Sequence, residues 1–165
     1  MIEGVKIKEL KVHQDVADKS SAGQEMIGEK RGYLMEVVRA DEDLLKKFGQ
    51  TVFTVAYKGM IKAFHWHKKQ DDLWFVASGQ ARIVLYDKRK DSPTYKQTQV
   101  IYAGTDNYKL IVIPIGVVHG YQVLGDEPVL MFYHITETYN PNDPDEFRIP
   151  YDDPEIGFDW NSPTD

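Results

Sequence analysis

The stretch Ile61-Lys62-Ala63-Phe64-His65-Trp66-His67 decides the reading of the fold. It is apolar, aromatic-rich and free of Gly and Pro, which are the marks of a β-strand. Residues two apart in a strand point to the same face. His65 and His67 therefore project together, either into a barrel or out to solvent. Runs of the same kind recur along the chain, at 32–38, 52–57, 73–76, 81–86, 97–103, 110–113 and 129–135. Between them lie turn-forming clusters such as Ala77-Ser78-Gly79-Gln80, Asp91-Ser92-Pro93-Thr94 and Gly125-Asp126-Glu127-Pro128. Many short strands at near-regular spacing predict an all-β sandwich or barrel rather than a parallel α/β sheet.

One helix is expected, capped by Asp41, with Leu44, Leu45 and Phe48 as its apolar face and Gly49 as its stop. From Asn140 onward the chain is rich in proline, with Pro141, Pro144, Pro150, Pro154 and Pro163. It also carries Phe147, Ile149, Tyr151, Ile156, Phe158 and Trp160, so the tail is expected to be an ordered wrap. No repeat or second domain is visible, and residues 1–165 are read as one domain.

Composition narrows the function classes. The net charge of −6, from 26 acidic and 20 basic residues, opposes nucleic-acid binding, which depends on a basic surface. It leaves room for a diphosphate held by a local group of Arg and Lys. Several acidic residues, Asp143, Asp145, Glu146, Asp152, Asp153 and Asp165 among them, crowd the last quarter, where a solvated face is the plain reading for most. No run is long and apolar enough for a membrane span, and the first residues carry no apolar signal segment. With no cysteine, thiolate metal sites and disulfides are excluded, and a cytoplasmic protein without a membrane partner is expected.

A third histidine, His119, follows the turn Pro114-Ile115-Gly116-Val117-Val118. The spacing Gly59-x5-His65-x-His67-x4-Asp72-x6-Gly79 resembles the first metal-binding pattern of the cupins, with Asp in place of their usual Glu. Pro114-x-Gly116-x-x-His119 resembles their second pattern, except that the usual Asn is Val123. The resemblance implies a cupin-type jelly-roll β-barrel. His65, His67, Asp72 and His119 would suit a divalent Zn, Mn, Fe or Ni ion. Barrel geometry alone would give the same spacing, so both readings stay open.

A closer resemblance extends from about Gly28 to Trp160, to the dTDP-4-dehydrorhamnose 3,5-epimerase family. Ile61-Lys62-Ala63-Phe64-His65-Trp66-His67 resembles the family strand Leu-Arg-Gly-Leu-His-Tyr-Gln, which carries the catalytic base. Arg31-Gly32-Tyr33-Leu34-Met35-Glu36 is similar to Arg-Gly-Phe-Phe-Phe-Glu, and Ser92-Pro93-Thr94 matches a family turn. Ile113-Pro114-Ile115-Gly116-Val117-Val118-His119-Gly120-Tyr121 resembles Ile-Pro-Glu-Gly-Phe-Ala-His-Gly-Phe. The tail Tyr151-Asp152-Asp153-Pro154-Glu155-Ile156-Gly157-Phe158-Asp159-Trp160 is close to Trp-Asn-Asp-Pro-x-Ile-Gly-Ile-Asp-Trp.

The resemblance implies an epimerase of an NDP-4-keto-6-deoxysugar, a homodimer that needs no cofactor. A base removes a proton next to the C4 ketone and an acid returns one on the other face. It makes His65 the base and has His119 orient or assist. It places Arg31, Glu36 and Lys62 at the nucleotide sugar, Lys62 standing where the family has Arg.

The departures matter as much. The family's active-site lysine is Asp72, and its Gln is His67. The first of the paired tyrosines, the family's acid, is Thr138, with Tyr139 one residue displaced and expected to pack rather than react. The carboxylate that partners the base in a C-terminal extension has no counterpart before Asp165. Asp72 and His67 are also two residues that complete the metal pattern, so a cation could take the lysine's place, and the alternatives are a metal-dependent cupin enzyme acting on another small molecule or a non-catalytic sugar-nucleotide-binding cupin.

Overall fold

The computed structural model describes residues 1–16 and 30–163. The start of the family resemblance at Gly28 and the terminal Asp165 lie outside the described residues. The described residues form twelve strands: β1 Lys6–Glu9, β2 His13–Val16, β3 Lys30–Leu34, β4 Gln50–Ala56, β5 Ile61–Trp66, β6 Asp72–Ser78, β7 Gln80–Asp87, β8 Thr98–Gly104, β9 Lys109–Ile113, β10 Val117–Leu124, β11 Val129–Ile135 and β12 Phe147–Arg148. They make two five-stranded sheets, ordered β1-β9-β6-β11-β4 and β12-β5-β10-β7-β8, plus the ribbon β2-β3. Every pairing is antiparallel.

Three apolar clusters explain the arrangement. Between the sheets, Trp74, Val76, Ile111, Ile113 and Met131 of the first meet Ile83, Leu85, Val117, Tyr121 and Val123 of the second. Alternate residues of the same strands point outward and are covered in turn. Leu73, Phe75, Leu110 and Val112 lie under Val12, Met35, Val37, Val38, Leu44 and Leu45. Phe64, Val84, Tyr86 and Val118 lie under Ile156 and Trp160 of the tail. Strands buried on both faces lose the apolar–polar alternation of a half-exposed sheet, which is why β6 and β7 read as almost continuous apolar runs.

The tail is the expected wrap. Arg82, buried on β7, donates to the carbonyls of Trp160 and Ser162, and the Trp160 indole donates to Tyr151 O at 2.8 Å. Tyr151 departs from the pattern, its side chain lying exposed.

Two features differ from expectation. The helix from Asp41 to Gly49 is absent; a single 3-10 turn forms at Ala40–Glu42. Arg39 takes both carboxylate oxygens of Asp41, at 3.0 and 2.7 Å, so the cap is spent. Asp43 then turns left-handed, at φ 50°. Leu44 and Leu45 pack on the outer cluster while Phe48 stays 64% exposed, so the three do not share one face. The second difference is β10: the segment after Pro114 is not only a turn but leads straight into a central strand that carries His119.

Candidate active site

His65 lies on β5 and His119 on β10, directly opposite each other in the register. Their ring centroids are 4.1 Å apart. The next pairing, Tyr121 with Lys62, skips a residue of β5, so the strand bulges there. The bulge sets Lys62 beside His65 on one cavity wall. Gly120 permits it, since a Cβ at this position would stand 2.4 Å from the Ala63 Cβ.

His67 follows β5 and turns the same way, with its ring 5.2 Å from that of His65 and 5.3 Å from that of His119. Its Nδ1 bonds the backbone carbonyl of Asp145, whose carboxylate accepts the amides of Lys68 and Lys69 at 2.9 and 2.7 Å. The acidic tail thus locks His67, a role that sequence reading missed because acidic clusters usually only face water. The His119 Nδ1 bonds Val117 O at 2.9 Å.

Asp72 opens β6 and is buried among these rings, its Oδ2 3.7 Å from His67 Nε2 and 3.6 Å from His119 Nε2. Gln70 donates to its Oδ1 at 2.8 Å, and the Trp74 indole to its Oδ2 at 3.1 Å. Burial alone would raise the Asp72 carboxyl, but His119 and His67 outweigh it and hold the group far below the usual carboxylate range. Burial likewise works to lower His67, and Asp72 with the Asp145 carbonyl overcomes it and raises the imidazole. His65 receives no such help. Burial, and then the neighbouring charges of His119 and His67, push it down to about 2, so it stays neutral. Neither of its ring nitrogens makes a hydrogen bond to another described residue.

Two cavities of about 390 and 460 Å³ adjoin at His65, Tyr133 and Glu146. The first is lined also by His67, Asp72, Lys69, Thr138 and Tyr139; the second by Lys62, Tyr121 and Arg148. Their joint size suits a ligand larger than a simple metabolite. Tyr139 does not pack as expected: it stands 59% exposed at the rim, its amide bonded to Gln50. Thr138 lines the same wall. Lys62 Nζ reaches Thr54 Oγ1 at 3.1 Å and Val55 O at 2.9 Å.

Arg31 and Glu36 are not brought to this cleft within one chain. Arg31 sits on the ribbon and pairs with Asp15 at 2.8 Å, while Glu36 pairs with Arg39 at 2.9 Å. Two phenols that sequence reading had not weighed do reach it. Tyr121 is buried with its hydroxyl unpartnered, raised to about 12 by burial. Tyr133 is also raised, by burial and then by the charge of Asp72. Tyr121 stands where the family resemblance has Phe, and that substitution was the available signal.

Two facing antiparallel sheets with a histidine–carboxylate cluster at one end of the interior define a cupin-type jelly-roll enzyme. The dTDP-4-dehydrorhamnose 3,5-epimerase family model matches residues 2–165. The chain belongs to that family and is an enzyme of its sugar-epimerase kind. It is 51% identical to the spore coat polysaccharide biosynthesis protein SpsL of Bacillus subtilis, over 98% of each chain. Among solved structures it is similar to the dTDP sugar isomerase of Desulfovibrio desulfuricans, with a TM-score of 0.82, 27% identity and coverage of 99% and 94%. It is also similar to the Legionella pneumophila dTDP-6-deoxy-D-glucose-3,5-epimerase in complex with dTDP-4-keto-L-rhamnose, with a TM-score of 0.77, 30% identity and coverage of 97% and 80%. No helix among the described residues is long and apolar enough to cross a membrane.

Proposed function

We propose that this chain, acting as a single domain, epimerises a dTDP-4-keto-6-deoxysugar for cell-surface polysaccharide synthesis in the cytoplasm. The observation that carries the reading is His65: neutral, without a hydrogen bond, and shared by both halves of the cleft. A base must be unprotonated and within reach of the carbon acid. His65 removes the proton from the carbon beside the C4 ketone, and the electron pair moves onto the ketone oxygen as an enolate. The surroundings that keep His65 neutral also weaken it as a base. Abstraction therefore depends on stabilising the enolate, for which Lys62 and Arg148 are the cations lining the second cavity.

The returning proton comes from Tyr133, the phenol that lines both cavities with His65. Thr138, in the place of the family's acid, has too weakly acidic a hydroxyl for the task. His119 and Asp72 act as positioning residues behind His65. Thr138, Tyr139 and His67 line the outer half, where the sugar nucleotide enters. The steps are proton transfers and call for no cofactor.

A homodimer is part of the proposal. It is supported by the fully exposed ribbon β2-β3, with Val16, Tyr33 and Leu34 open to solvent, and by the half-exposed Phe53–Phe132 pair at the β4 edge. Light scattering after gel filtration tests it.

For the reaction, dTDP-4-keto-6-deoxyglucose is incubated with the protein in D₂O and its C3 and C5 protons are followed by NMR. The expected result is exchange at one or both carbons, lost in His65→Asn. Exchange that survives in His65→Asn, or none in the wild type, overturns the reading.

A further inference from the structure

We propose that His67, Asp72 and His119 form a divalent transition-metal site, a property for which the proposed proton transfers do not call. The donor atoms of these three residues and of His65 all lie within 4.8 Å of one another. The two rings have their tautomers fixed. Nδ1 of His67 faces the Asp145 carbonyl and Nδ1 of His119 faces that of Val117, and a carbonyl only accepts. Both Nδ1 atoms therefore carry hydrogen, and in the neutral ring the lone pair is on Nε2.

Both Nε2 atoms are buried without a hydrogen-bond partner, and both stand near one oxygen, Asp72 Oδ2. Two lone pairs thus face a carboxylate oxygen inside the protein. Two arrangements relieve this: a proton on each Nε2, or one cation between the three groups. Distance decides between them. A charged N–H pulls a carboxylate oxygen in to about 2.7–2.9 Å. The observed separations are 3.7 and 3.6 Å. Donors about 2.0–2.2 Å from a tetrahedral zinc stand about 3.3–3.6 Å from one another, and the two separations from Asp72 Oδ2 lie at or just above the upper end of that range.

The supporting contacts fit as well. A metal-ligating imidazole typically donates its other N–H to a carbonyl or carboxylate, as both rings do here. Asp72 is held from behind by Gln70 and Trp74. Two imidazoles and one carboxylate suit ions of the zinc, manganese, iron or nickel kind, and His67 and Asp72 line the first cavity. His65 belongs to the same group but makes no ion pair with Asp72 and lines both cavities, which leaves it free as a base.

The test uses the full chain, purified without an affinity tag and stripped with a chelator. Zinc is titrated by calorimetry and cobalt(II) by its visible d–d absorption, with far-UV circular dichroism on every variant. One ion per chain is expected, with affinity at least ~100-fold weaker in His67→Gln and uptake kept in His65→Asn. No uptake by the wild type overturns the site. Uptake unchanged in His67→Gln, or lost in His65→Asn, overturns this choice of donors. Should His67→Gln fail to fold, side-chain ¹⁵N NMR of the wild type decides. Zinc must then shift the Nε2 signals of His67 and His119 while those of His13 and His134 stay in place, and any other pattern overturns the site. Proton exchange into substrate is measured separately, so failure of the metal site and failure of the epimerase reading are distinguishable.

Discussion

His65 and His119 face each other across β5 and β10 with ring centroids 4.1 Å apart, although they are far apart in the chain. Antiparallel register makes this possible: directly opposite residues share a face, and their side chains meet. Burial, and then the neighbouring charges of His119 and His67, hold the His65 imidazole well below its ordinary range. The consequence is a division of labour. His67 and His119 engage Asp72, while His65 stays neutral toward the cleft.

That division gives Tyr133 a specific part, because the acid must be a different group from the base. Tyr133→Phe is expected to keep His65-dependent exchange of substrate protons with D₂O while net inversion falls by ~10²-fold or more. Product stereochemistry by NMR, read alongside deuterium content, checks it. Loss of exchange and inversion together would move Tyr133 to a binding role.

Gly120 holds the two histidines in register. In Gly120→Ala the new methyl meets Ala63 at 2.4 Å, a backbone-flanked contact that cannot swing aside. The expected cost is about 1–3 kcal/mol of stability, read as a lower urea midpoint at unchanged slope. Since β5 must shift, proton exchange should fall by more than the loss of folded protein explains. An unchanged midpoint would show that the bulge has slack.

Asp87 supplies a pH dependence remote from the histidines. It is fully buried at the end of β7 and accepts from Arg89 Nε at 2.8 Å, Ser92 Oγ at 2.5 Å and Thr94 Oγ1 at 2.6 Å. Burial raises its carboxyl, and these donors outweigh burial and hold it below the usual range. A depressed folded value means that the stabilisation is complete above the unfolded value of about 3.9 and is lost as pH falls below it. The wild type should therefore lose stability as pH drops through about 4. Asp87→Asn should be less stable at pH 7 by about 1–3 kcal/mol and show a shallower decline in acid. Urea unfolding at a series of pH values measures both.

How far the sequence went can be judged at particular residues. Strand 61–67 and the strand near 129–135 were legible because β-branched and aromatic runs bounded by turn formers are local signals. The short helix was misjudged for a tertiary reason. Leu44 and Leu45 gain more from the outer cluster than from a helical turn, and Arg39 diverts the cap. β1, β2, β10 and β12 were missed, being short, polar or masked by the Pro114–Gly116 turn.

By itself, the sequence determined an all-β chain with a proline-rich wrap, the family to which it belongs, and four residues whose spacing allows a common site. The strands were legible because strand periodicity and turn chemistry are local, whereas the family showed in the likeness of whole motifs such as residues 113–121 and 151–160. Only the tertiary structure decided that His119 lies on a strand opposite His65, that a bulge sets Lys62 beside His65, and that Asp145 fixes the tautomer of His67. It also showed that Tyr121 and Tyr133 enter the cleft while Arg31 and Glu36 do not. Each of these is a contact between segments distant in the chain, set by register and burial, and no local pattern encodes which partner a side chain will meet.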